Sequence, residues 1–332
     1  MLKNCNFTSC FVFLSSTTPN SPSHINYLIM FSIKQQTGLD SLLDRRRQRP
    51  SRWERFWSTP CAFLAQCIYT HRRITQKSPT SPVRIVCISD THNSLPDLPS
   101  GDVLIHAGDL TQSGSLKELK AVITWLNSQP HPHKQIVVAG NHDISLQRTR
   151  DCTKISEAAK EVPDWGDCIY LENGAKTITC ANGRQLKIYG SPLSPRNGNW
   201  PFQYPRTEDV WSETVPDDTD IVITHGPPFG HLDLNFGCHH LLQEIWRVRP
   251  LLHVFGHVHE GYGHEWIVFD GLQKAYERVL AKGGVLNLLV VLKEMLVSFC
   301  RAERVAACQL VNSAFMGGLR DDERRQPVTV II

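Results

Sequence analysis

Val83-Arg84-Ile85-Val86-Cys87-Ile88-Ser89-Asp90-Thr91-His92 is the stretch on which the reading of this chain turns. An apolar, largely β-branched run leads straight into Asp-x-His. A continuous run of that length, with no polar alternation, reads as a strand covered on both faces. The same texture returns at 103–105, 135–138, 186–189, 220–223 and 251–255, each run bounded by polar residues or glycine. Between the second and third runs, Ser115-Leu116-Lys117-Glu118 forms a capping box. It opens a helix with Leu119, Val122, Ile123 and Leu126 on one face. Buried strands interleaved with helices predict an α/β domain with helices on both sides of its sheets.

Five of these strands run into metal-ligating residue types. After the first come Asp90 and His92, after the second Gly108-Asp109, and after the third Gly140-Asn141-His142-Asp143. Later strands deliver His225-Gly226-Pro227-Pro228 and Gly256-His257-Val258-His259. The C-terminal ends of strands are where α/β sheets place their sites, and the flanking glycines allow tight turns and close backbone approach. The converging set holds two carboxylates (Asp90, Asp109), one amide oxygen (Asn141) and four imidazoles (His92, His225, His257, His259). That mixture suits Mn, Fe, Zn or Co and is too rich in imidazole for calcium or magnesium. Seven ligands exceed one tetrahedral ion but suit two ions sharing a carboxylate, spaced about 3.5–4 Å apart for displacement at phosphorus.

The ordered set D-x-H, G-D, G-N-H-D, H and G-H-x-H resembles the calcineurin-like metallophosphoesterase superfamily, over about residues 83–259. Ile88-Ser89-Asp90-Thr91-His92-Asn93 and Tyr189-Gly190-Ser191-Pro192 are similar to the branch related to class III cyclic-nucleotide phosphodiesterases. The resemblance implies a four-layer sandwich of two mixed β-sheets flanked by helices. It also implies that Asp90, His92, Asp109 and His259 hold one metal, with Asp109 shared and Asn141, His225 and His257 completing the second. His142 matches the family's catalytic histidine, with Asp143 expected to orient it. The implied activity is hydrolysis of a small phosphoester by a metal-bridging hydroxide, diesters preferred over monoesters. The Ser/Thr protein phosphatases of the superfamily carry G-D-x-V-D-R-G and R-G-N-H-E. Here Ser113 and Ala139 stand at the arginine positions, which disfavours a phosphoprotein substrate. A metal- or nucleotide-binding scaffold with weak catalysis is the competing reading, and the intact His257-x-His259 argues against it.

Around this domain the composition is uneven. Residues 1–80 hold eleven Lys and Arg against three acids, whereas the remainder holds 24 against 29. A basic front end therefore precedes a mildly acidic body, which makes nucleic acid an unsuitable partner for the site. Residues 1–80 read as a poorly ordered arm carrying Arg45-Arg46-Arg47-Gln48-Arg49 and one amphipathic helix around 51–72. The preferred reading packs that helix on the domain of 81–332; peripheral contact with an anionic membrane is the alternative. Residues 271–309 read as a helical insertion broken at Gly283-Gly284, and 328–332 as a last strand after a charged turn at 320–325. The eleven cysteines are scattered and odd in number, which suits a reducing compartment, and a cytoplasmic location is expected. No run reaches the roughly 18 apolar residues of a membrane span, and no protein partner is identifiable. His106 and His253 either hydrogen-bond near the ligands or fill core. No role falls to His131, His133, His231, His239, His240 or His264. Ser191 and Pro192 either line the cleft or make a structural turn.

Overall fold

The computed structural model describes residues 51–72, 74, 79–129, 134–147, 163–300, 306–318 and 322–332. The expected arm at 1–50, with its arginine cluster, and the start of the charged turn at 320–321 lie outside them, as do His131 and His133.

Two short helices, α1 (Arg52–Ser58) and α2 (Pro60–Tyr69), precede the first strand, β1 (Arg84–Ile88). β1, β2 (Val103–Ala107), β3 (Lys134–Val138) and β4 (Cys168–Tyr170) run parallel, with α3 (Leu116–Asn127) crossing between β2 and β3. The capping box forms as read: Ser115 accepts from the Glu118 amide while the Glu118 carboxylate accepts from the Ser115 amide. The chain then builds β5 (Gly174–Thr179), β6 (Gln185–Ser191) and a small ribbon of β7 (Ser194–Pro195) and β8 (Gln203–Tyr204). After β9 (Ile221–Thr224) come α4 (His239–Val248), β10 (Leu252–Phe255) and β11 (Gly263–Val268). Helices α5 (Gly271–Lys282) and α6 (Val285–Cys300) lead to β12 (Ala307–Asn312). A ribbon of β13 (Met316–Gly317) and β14 (Glu323–Arg324) precedes β15 (Val328–Ile331).

These strands form two mixed sheets, ordered β15-β1-β2-β3-β4 and β11-β12-β10-β9-β6-β5. Each has a parallel centre; β15, β11 and β5 are the antiparallel edge strands. Strand alternation assigns the faces. Ile85 and Cys87 turn inward to a core shared with Ile105, Ile136, Ile188, Ile223 and Val254, side chains from both sheets. Val86 and Ile88 turn outward onto Val122 and Leu126 of α3. On the other side Val222, Phe255 and Leu310 meet Leu241 and Ile245 of α4. The result is four layers: helix, sheet, sheet, helix. Each fully buried Ile or Val here contributes about 1.5–3 kcal/mol of transfer free energy. That makes both faces of each central strand apolar, the reason the runs read as continuous.

Two boundaries differ from the sequence expectation. The single helix around 51–72 is two helices, because Pro60 supplies no amide to continue α1 and instead starts α2 at its first turn. The insertion expected over 271–309 ends earlier. Residues 307–309 belong to β12, which pairs with both β10 and β11. Helices α2, α5 and α6 share a separate small core built on Ala65, Leu272, Tyr276, Val279, Val291 and Met295. Tyr69 stacks on Tyr276 at 4.3 Å, and Arg72 pairs with Asp270. No helix among the described residues is long and apolar enough to cross a membrane.

Candidate metal centre

Every ligand candidate lies just past the C-terminal end of a parallel strand: Asp90 and His92 after β1, Asp109 after β2, Asn141 after β3, His225 after β9, and His257 and His259 after β10. Side chains that turn back onto a sheet edge so soon need unusual backbone. Asp90, His92, Asp109 and His257 all take left-handed φ, at 52°, 44°, 53° and 65°. Such conformations are uncommon for non-glycine residues and concentrate at functional sites. The glycines make the room. A Cβ on Gly140 would lie 2.3 Å from the Asp109 amide nitrogen and from its Oδ1. One on Gly256 would lie 2.1 Å from Asp90 Oδ2.

The side chains converge in two clusters. Asp90, His92 and His259 each offer an atom within 4.8 Å of the others, and so do Asp109, His225 and His257. Asp109 Oδ2 lies 3.8 Å from His92 Nε2 and 3.4 Å from His225 Nε2, between the clusters. Asp90 Oδ1 is 3.4 Å from His259 Nε2, and Asn141 Oδ1 is 3.0 Å from His225 Nε2. The backbone fixes both carboxylates: the His257 amide donates to Asp90 and the His142 amide to Asp109 Oδ1. All seven sequence-identified ligands are thus brought together.

The electrostatics fit cations. Burial would raise both carboxyl pKa values, but the bond and charge of His259 hold Asp90 down at about 2. The charge of His225 and its bond hold Asp109 well below the usual carboxylate range. Burial would lower His225, yet Asp109 pushes it up to about 9, whereas burial and then the charge of His225 bring His257 down to about 4. The two carboxylates thus favour positive charge at this edge of the sheets. Both ring nitrogens of His92 are buried without a hydrogen-bond partner among the described residues. An orphaned buried imidazole of that kind is costly unless something coordinates it. Oxygen and imidazole donors in this ratio fit a first-row transition ion.

His142 borders the two clusters, a ring nitrogen within 4.8 Å of Asp109 and His92 atoms. Its Nδ1 donates to the Gln112 carbonyl at 2.9 Å. The expectation that Asp143 orients this ring is corrected by the geometry. Asp143 accepts from the Gly140, Leu110 and Thr111 amides and from the Thr111 hydroxyl, at 2.8, 3.2, 3.0 and 2.7 Å. Its carboxylate ties the Gly108–Thr111 turn to the end of β3 and never meets the imidazole. Burial, then the nearby Asp109, raise its pKa to about 6.

Sequence reasoning missed Trp200, whose indole stacks on His142 at 4.7 Å with 24° between planes. A lone Trp in the loop Asn197-Gly198-Asn199-Trp200 offered no periodic signal. His106 and His253 take the hydrogen-bonding role: each meets a threonine next to a ligand, Thr91 at 3.0 Å and Thr224 at 2.8 Å. Ser191 donates to Asn173 at 2.7 Å, so it holds a turn. His231, given no role, is buried between Glu265 and Glu277 at 2.8 and 3.2 Å.

The parallel strands of the sandwich thus bring carboxylates, an amide oxygen and imidazoles together at one edge, a donor set suited to metal ions. The chain belongs to the calcineurin-like phosphoesterase family, whose model matches residues 83–261. It is 39% identical over 220 residues to the human protein named Metallophosphoesterase domain-containing protein 1, covering 58% of this chain and 64% of that one. A UPF0046 protein of Caenorhabditis elegans is 37% identical over 199 residues, covering 55% and 66%. An Emericella nidulans protein named Probable rhamnogalacturonate lyase C is 45% identical over 311 residues, covering 90% of this chain and 29% of that protein. The chain thus spans from 29% to 66% of the length of these three relatives.

Proposed function

We propose that this chain hydrolyses a phosphodiester of a small molecule with two transition-metal ions, drawn from Mn, Fe, Zn or Co. The observation that carries the reading is Asp109, one carboxylate placed between two clusters of donors at 3.8 and 3.4 Å. Asp90, His92, Asp109 and His259 would hold one ion; Asp109, Asn141, His225 and His257 would hold the other. When bound, such a pair activates water and neutralises charge on the phosphoryl oxygens.

The chain's own residues supply the rest. Because a carbonyl only accepts, the bond to Gln112 keeps a proton on Nδ1 of His142 and leaves Nε2 to hold or hand over another. The Trp200 indole stacks on the ring and fixes its orientation, so His142 can protonate a departing oxygen as general acid. Diester preference follows from charge. A monoester dianion needs cationic grips, but the arginine positions of the protein phosphatases hold Ser113 and Ala139, and Ser113 donates to the Glu118 carboxylate. A singly charged diester places less demand on such a site.

The test is hydrolysis of bis-p-nitrophenyl phosphate and p-nitrophenyl phosphate with manganese added, alongside metal analysis. Turnover of the diester is expected to exceed that of the monoester and to vanish in Asp109→Asn together with bound metal. His142→Ala should slow turnover about 10²–10⁴-fold while keeping metal. Wild-type rates in Asp109→Asn, or no turnover of either ester by folded, metal-loaded protein, would overturn the assignment.

A further inference from the structure

We infer that the helical layer formed by α1, α2, α5 and α6 docks on the surface of an anionic lipid bilayer. The first observation is apolar. Along α6, Leu286, Leu289, Leu296 and Phe299 recur at helical spacing and are exposed, Leu286 at 80% and Phe299 at 69%. The opposite face, through Val291 and Met295, is the one packed on α2 and α5. Exposed aromatic side chains continue the character on α1, where Trp53 and Trp57 lie one turn apart at 73% and 75%. Single exposed leucines are ordinary, whereas a full stripe along a four-turn helix is not.

The second observation is charge, and it selects the occupant. On α5, joined to α6 through Gly283-Gly284, the exposed polar positions are Lys274, Arg278 and Lys282, four residues apart and all basic. The one acid of that helix, Glu277, is buried and accepts from Trp246 and Gln273. Lys293 on α6 and Arg52 and Arg55 on α1 are exposed as well, against the single exposed acid Glu54 of the layer. In sequence, α1 follows directly on Arg45-Arg46-Arg47-Gln48-Arg49. The body of the chain, by contrast, is mildly acidic. An apolar stripe flanked by predominantly basic positions, with tryptophans and too little length to span, is the pattern of a helix lying in the membrane interface. A second copy of the chain fits the leucine stripe but would bring basic positions against basic ones.

Flotation of the full chain with phosphatidylcholine vesicles, with and without phosphatidylserine, tests the assignment. Binding is expected to the anionic vesicles only and to weaken as salt shortens the screening length. Two triple variants, Leu286→Ser with Leu296→Ser and Phe299→Ser, and Lys274→Glu with Arg278→Glu and Lys282→Glu, alter exposed side chains only. Each should weaken partitioning by roughly a hundredfold or more while turnover of soluble bis-p-nitrophenyl phosphate stays at the wild-type rate. No flotation of wild type, or undiminished flotation of both triple variants, overturns the proposal. So does a concentration-dependent dimer that the leucine variant abolishes, found by light scattering in protein that does not float; that result gives the face to a second copy.

Discussion

Raising the pH should weaken this protein through His231, and the size of the effect follows from the geometry. The residue lies six positions beyond the candidate ligand His225, in the loop that leads to α4. Its Nδ1 is 2.8 Å from Glu265 on β11 and its Nε2 3.2 Å from Glu277 on α5. Carboxylates only accept, so both ring nitrogens carry protons and the buried ring is an imidazolium. Burial alone would lower its pKa, but Glu265 and then Glu277 push it up to about 10 from 6.5. A group whose folded pKa is raised contributes fully below the unfolded value and loses its contribution as pH climbs through the folded one. Between those limits the folded chain holds one proton more than the unfolded chain, so stability falls by about 1.4 kcal/mol per pH unit.

Carried across the whole interval, that slope would amount to about 4–5 kcal/mol. The Glu265 side chain is 38% exposed, however, and water screens its part of the interaction. A loss of about 2–3 kcal/mol between about pH 7 and pH 10 is the working figure. Urea unfolding of wild type and His231→Gln across that range measures it, because other titrating groups cancel in the difference. Glutamine leaves Glu277 with its bonds from Trp246 and Gln273, so the variant should fold. The stability gap between the two proteins should narrow steadily as pH rises. A gap that stays constant from about pH 7 to about pH 10 would refute the ion-pair account.

Three further outcomes follow from the site. Asp143→Asn removes one of two oxygens that accept four hydrogen bonds, so thermal unfolding should report a loss of about 2–4 kcal/mol; an unchanged melting temperature would show that the carboxylate is not holding the turn. Trp200→Ala should lower kcat about tenfold by freeing the His142 ring, with metal content intact; equal loss of metal would mean the indole shapes the ligands instead. Gly140→Ala should abolish metal binding, since its Cβ meets the Asp109 amide at 2.3 Å, and full metal occupancy by metal analysis would show that the turn can shift.

The sandwich was legible because its central strands are buried on both faces, which writes them as uninterrupted apolar runs. All six runs are strands, with ends that differ from the runs by no more than two residues. The strands that escaped notice lie at edges or close late. On β5 only Ile178 is buried between exposed neighbours, and β11 carries His264 and Glu265 amid Trp266 and Ile267. An edge strand needs one apolar face at most, so its pattern fades into loop. The helix pair at α1 and α2 was read as one because amphipathic spacing runs through Pro60, while the break depends on a single missing amide.

The convergence of the candidate ligands was legible for a different reason: residue types that bind metal fell at the ends of five buried strands, and parallel strands place those ends on one edge. What the linear order concealed is direction. His142 and Asp143 are neighbours in sequence, and a catalytic imidazole beside a carboxylate invites pairing them. At a sharp turn, though, consecutive side chains diverge. His142 leans out against Trp200, while Asp143 points beneath the Gly108–Thr111 turn and is completely buried. The carboxylate therefore bears on the candidate site only through the backbone that carries Asp109. The left-handed φ values at Asp90, His92, Asp109 and His257 belong to the same lesson. They aim the ligands, and no residue pattern announces them, because strain of this kind is maintained by the packing of the whole sandwich and not by local preference.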